Sequence, residues 1–112
     1  MFVSLDLARK HVRADDDEDG DLLEQYLAAA QQASIDYLNR PVFATQEDLD
    51  AAIAAGNAGE SAIVVNAAIR AAILMTFGDM YKQRESVVTG VSVHELPMVQ
   101  DLLRPHRLVN GV

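Results

Sequence analysis

Residues 61–82, SAIVVNAAIRAAILMTFGDMYK, contain the longest apolar-looking stretch of the chain, broken by Asn66 and Arg70 before Asp79 closes it. The alanine, isoleucine and leucine content favours helix, and one helix through residues 61–82 is expected, about 30 Å long at 1.5 Å rise per residue. Val64, Ala68, Ala71, Met75 and Gly78 share one side of that helix, and Val65, Ile69, Ile73 and Phe77 share another. Both sides need cover, which puts the helix at the centre of the fold. That cover comes either wholly from the same chain or partly from a second subunit, and periodicity leaves the two open.

The segments on either side supply the packing partners. Ser4 is placed to cap a short helix running to about Arg13, with Asp6 near its positive end and Arg9, Lys10 and Arg13 near its negative end. Leu5, Ala8 and Val12 form its apolar stripe. A stronger helix follows the acidic run: Leu22, Tyr26, Ala30, Ala33 and Tyr37 recur at helical spacing, with Leu23, Leu27 and Leu38 on an adjoining stripe. It should stop near Asn39 and Arg40, because Pro41 restricts the residue before it. Thr45 and the acidic residues after it open a short third helix carrying Leu49, Ala52 and Ile53, which ends in the glycine-rich turn GNAGES. VVTGVSV, residues 87–93, reads as a loop with short extended pieces or a small hairpin. A last helix begins at Pro97 and stops near Arg104, with Met98, Leu102 and Val99 docking it. The expected fold is all-α: one compact domain over residues 1–112, a bundle of about four to five helices around one long central helix.

Composition narrows function. Seventeen acidic and 9 basic residues leave a formal charge of −8, which repels a nucleic-acid backbone and gives no attraction to anionic lipid. The chain contains no cysteine, so disulfides, thiol nucleophiles and zinc–thiolate sites are excluded. MFVSLDLARKH at the amino terminus lacks the apolar run of a signal peptide, so a protein outside the classical secretory route and outside membranes is expected.

Several patterns resemble chemistry and fail on inspection. Residues 15–20, DDDEDG, begin like a calcium loop, but the twelfth position counted from Asp15 is Tyr26 where a bidentate glutamate is required. Asp15, Asp16, Asp17, Glu18, Asp19 and Asp21 are therefore read as a solvated loop and helix start, favourable at a positive helix end without any ligand. His11, His94 and His106 lack metal-ligand spacing, and no nucleophile elbow or phosphate loop is present. In FGDMYKQRES, residues 77–86, Asp79 with Gln83, Met80 with Arg84 and Tyr81 with Glu85 lie four apart. Such pairs are helix-surface neighbours rather than a convergent catalytic group. No enzyme activity, cofactor or metal is expected.

Three segments carry a likeness: SLDLARKHVRADDDEDGDLLEQYLAAAQQASIDYLNRP, then AIRAAILMTFGDMYKQRES, then ELPMVQDLLRPHRL. Together they resemble the small head-tail connector, or adaptor, proteins of tailed bacteriophages and prophages, over nearly the whole chain. The most specific parts are the VRADDDEDGDLLEQYLAAA junction, the end of the long helix at Tyr81, Arg84 and Glu85, and the closing Leu96 and Pro97 with Leu102, Leu103, Pro105 and Arg107. The resemblance implies a mainly helical structural protein of the virion neck, made in the host cytoplasm. It implies self-association into a ring of roughly a dozen subunits beneath the portal protein, closed by rotationally repeated contacts. Such a ring extends the channel that double-stranded DNA passes through and offers a platform to head-completion or tail proteins, although isolated subunits can be monomeric. The chain ends a few residues past RPHRL, so portal contact is expected through loops such as 41–60 or 86–94 instead of a long terminal arm. A non-catalytic intracellular helical module that binds another protein is the alternative of a different class.

Overall fold

The computed structural model describes residues 1–14, 20–83 and 96–108. In chain order the elements are α1 (Leu5–Val12), α2 (Gly20–Leu38), β1 (Val42–Phe43), α3 (Gln46–Ala54), β2 (Ile63–Val64), α4 (Ala67–Lys82), α5 (Pro97–Leu103) and the 3-10 turn η1 (Arg104–His106). The fold is an all-α bundle in which α4 is central, packed against α1, α2 and α5. One side of α4 is covered by its own chain, with Ile69, Ala72, Ile73 and Phe77 completely buried, while Ala68, Ala71 and Met75 on another side are half-buried. Burying a side chain as large as phenylalanine contributes about 2–3 kcal/mol. The segment expected to form a hairpin before the last helix lies outside the described residues.

The helix starts follow local chemistry. The Ser4 hydroxyl accepts from the Leu7 amide at 3.1 Å, and the Thr45 hydroxyl accepts from the Asp48 amide at 3.1 Å. Each satisfies a donor that the first turn leaves without a carbonyl. Helix α1 ends when Arg13 turns left-handed at φ 57° and its amide bonds back to the Arg9 and Lys10 carbonyls. Helix α2 ends at Asn39, also left-handed at φ 56°, a conformation asparagine tolerates better than most residues.

Four expectations need correction. First, the central helix starts at Ala67 rather than residue 61, because the Asn66 side chain caps it by accepting from the Ile69 amide at 2.9 Å. Upstream, Ser61 is left-handed at φ 60° and residues 63–64 are extended. Val64 is therefore a strand residue, and α2, with 19 residues, is longer than α4 with 16. Second, an unforeseen parallel pairing joins β1 to β2, Val42 with Ile63 and Phe43 with Val64. The β-branched run Ile63-Val64-Val65 was its sequence signal, since such side chains lose rotamer freedom in a helix and pack well on a pleated surface. Third, the buried line of α2 is Leu23, Leu27, Ala30, Ser34 and Leu38, whereas Leu22 and Ala33 face solvent. The buried serine is tolerated because its hydroxyl donates to the Ala30 carbonyl at 3.0 Å. Fourth, α5 docks through Val99 and Leu103, with Leu102 half-buried and Met98 57% exposed.

Candidate assembly surface

The carboxyl-terminal turns of α4, which carry Tyr81, meet α1. Tyr81 is half-buried, its ring tilted 31° to that of Phe77 with centroids 6.5 Å apart. One turn earlier, Gly78 is buried against α1: a Cβ built on it would stand 3.1 Å from His11 Nε2. A Cβ at this position would require the His11 ring to shift, so the glycine lets the ring lie directly against α4. Between α1 and α4 lies an open cleft of about 510 Å³ whose apolar lining includes Val12, Met75 and Leu96. His11, Arg13 and Lys82 bring basic groups to it. Asp79 also lines the cleft, with its carboxylate accepting from Gln83 Nε2 at 2.8 Å, as their four-residue spacing predicts. Arg84 and Glu85 lie outside the described residues.

The closing motif does something the sequence did not reveal. Leu103 is core, 2% exposed. Pro97 and Pro105 are exposed, at the starts of α5 and η1, where a missing amide costs little. Arg107 folds back on α2: its Nε donates to the Tyr37 carbonyl at 2.9 Å, and its guanidinium stands 4.7 Å from the Tyr37 ring centroid. The Leu108 amide donates to the Leu38 carbonyl at 2.8 Å, and Asn39 Nδ2 donates to the Leu108 carbonyl at 3.3 Å. Arg40 completes the clasp, donating from Nε to the Ser61 carbonyl at 2.6 Å and from Nη1 to the His106 carbonyl at 3.1 Å. One guanidinium thereby ties the turn before β2 to the carboxyl-terminal turn. Sequence reading used Arg40 only as a helix stop, because local periodicity carries no sign of partners so distant along the chain.

Asp21 occupies the exposed first turn of α2, and residues 15–19 of the acidic run lie outside the described residues. Arg9 of α1 reaches this helix start, its Nη2 2.9 Å from a Cβ built on Gly20. Among the described residues, no group of three or more His, Cys, Asp or Glu is placed to hold a metal ion. None of their helices is long and apolar enough to cross a membrane. The chemistry these surfaces offer is packing, charge and hydrogen bonding.

A family model described as Phage gp6-like head-tail connector protein matches residues 2–107. The chain belongs to that family. The match takes in every described helix of this connector-family chain, from α1 to η1. No curated protein and no solved structure matches the chain.

Proposed function

We propose that the chain is a structural, non-enzymatic virion protein that forms a ring at the head-tail junction, below the portal, where it extends the DNA channel. The observation that carries this reading is the family match over residues 2–107. One connector-type helical unit over residues 1–112 would serve as the subunit, monomeric when isolated in the host cytoplasm. The ring would number roughly a dozen copies, as the family resemblance implies, and would close through a repeated head-to-tail contact. Its outer faces would meet the portal protein on one side and head-completion or tail proteins on the other.

The charge of −8 suits a channel wall. Acidic side chains repel phosphate and let double-stranded DNA slide, whereas lysine and arginine would retain it. Tyr81 in the last turn of α4, Arg84 and Glu85 shortly after it in sequence, and Pro97, Leu102, Leu103, Pro105 and Arg107 are the residues proposed to support folding and assembly. Cryo-electron microscopy of particles containing the protein tests the reading directly. A ring beneath the portal with an acidic lumen is expected; a neck without the protein overturns the function, and a basic or neutral lumen overturns the role given to the charge. Arg84→Ala should impair folding or assembly, read by thermal melting and by incorporation into particles.

A further inference from the structure

Helix α3 stands apart from the rest of the bundle in both packing and charge. Its main neighbours are β1 and β2, and Leu49 is its one buried residue. Glu47, Asp50 and Ile53 recur at three-residue spacing along one exposed side, with Ile53 59% exposed. The Asp50 carboxylate accepts from Gln46 Nε2 at 2.9 Å, which holds it on that side. No lysine, arginine or histidine occurs anywhere between Arg40 and Arg70, so nothing local neutralises this face along the chain.

The cleft between α1 and α4 has the opposite character. Val12, Met75 and Leu96 line it with apolar surface, the exposed Arg13 and Lys82 border it, and the Asp79 carboxylate in its lining is engaged by Gln83 Nε2 at 2.8 Å. The two features lie at opposite ends of α4: the cleft at its carboxyl-terminal turns, and α3 beside the β2 strand that leads into its first turn. Sixteen residues of helix separate those ends, about 24 Å at 1.5 Å per residue. A single chain therefore cannot bring its own α3 into its own cleft.

We propose that the α3 face of one subunit docks into the α1–α4 cleft of a second copy of the chain, Ile53 entering the apolar floor while Glu47 and Asp50 face Arg13 and Lys82. An apolar anchor ringed by complementary charge is a pairing that binds and also fixes orientation. Because the two surfaces differ and sit at opposite ends, the contact is heterologous and propagates from copy to copy. This rests on the connector-ring reading above and names the surfaces that would close the ring.

The absence of cysteine in the chain makes disulfide trapping a clean test. Ile53→Cys combined with His11→Cys, an exposed residue lining the cleft, oxidised at millimolar protein concentration, should give a ladder of dimers, trimers and higher oligomers, while each single variant stops at dimers. A control pairing Ile53→Cys with Ala29→Cys, on the exposed side of α2, should cross-link about tenfold more slowly, because it lacks an oriented complex to raise the effective concentration. The cross-link reads contact itself and is indifferent to the charge of the acidic run at residues 15–19. Equal rates for the two pairs overturn the proposal.

Charge reversal supplies the second arm. Glu47→Lys with Asp50→Lys in one variant, and Arg13→Glu with Lys82→Glu in another, should each abolish the rapid ladder while keeping the native far-UV circular dichroism. Mixing the two variants should restore it, since each reversed surface then meets its complement. Failure of the mixture to recover overturns the pairing. A ring seen in particles with other surfaces in contact would also overturn it while leaving the connector function standing.

Discussion

Arg40 illustrates how much one side chain can organise in a small chain. Its two bonds reach carbonyls of Ser61 and His106, in segments distant in sequence. Arg40→Ala should lower stability by about 1–2 kcal/mol, as expected for losing hydrogen bonds from a charged donor. The denaturant midpoint should fall with an unchanged slope, and Arg40→Lys should recover part of the loss because it keeps charge without the fork. Gly78 tests a different physics. Alanine gains about 1 kcal/mol of helix propensity over glycine, yet its Cβ would press on the His11 ring at 3.1 Å. The His11 side chain is exposed and has room to swing aside, so Gly78→Ala should be neutral to mildly stabilising. The gain should grow in a His11→Ala background, a coupling measured by a double-mutant cycle. In α5 the burial pattern separates neighbours: Leu103→Ala should cost about 2–4 kcal/mol, while Met98→Ala should stay within about 0.5 kcal/mol.

At the level of elements, the contest between helix and strand over residues 61–66 is settled by contacts outside the segment. Ile63 and Val65 donate to the Pro41 and Phe43 carbonyls at 3.0 and 2.8 Å. Asn66 then caps α4 just beyond the strand. Asn66→Ala should cost about 1 kcal/mol, the usual loss for a helix cap. It should not lengthen α4 backwards, because the β1 pairing still holds residues 63–65 extended. Amide hydrogen exchange checks the pairing independently. The Ile63 and Val65 amides should exchange more slowly than that of Val64, which points away from β1 by the alternation of a strand. Equal exchange along the three residues would mean that β1 and β2 do not hold together in solution.

For the whole molecule, charge is the property most open to experiment. A chain at −8 repels itself in the compact state. Raising salt from about 0.01 to about 0.15 M shortens the Debye length from about 30 to about 8 Å, so the melting temperature of the isolated subunit should rise. Much of the architecture was legible beforehand. The all-helical class, the Ser4 and Thr45 caps, the end of α2 near Asn39 and the start of α5 at Pro97 follow from capping chemistry and apolar spacing, which act within a few residues. The family was legible too, because its match spans nearly the whole chain. What local spacing left undecided was which of two adjacent stripes of α2 turns inward, where α4 begins, and what Arg40 and Arg107 hold. A stripe is buried only relative to a neighbour, a strand exists only with its partner, and a guanidinium finds its carbonyls only once distant segments have come together. Those three outcomes belong to tertiary contact, because the groups that choose between the alternatives lie far away in sequence.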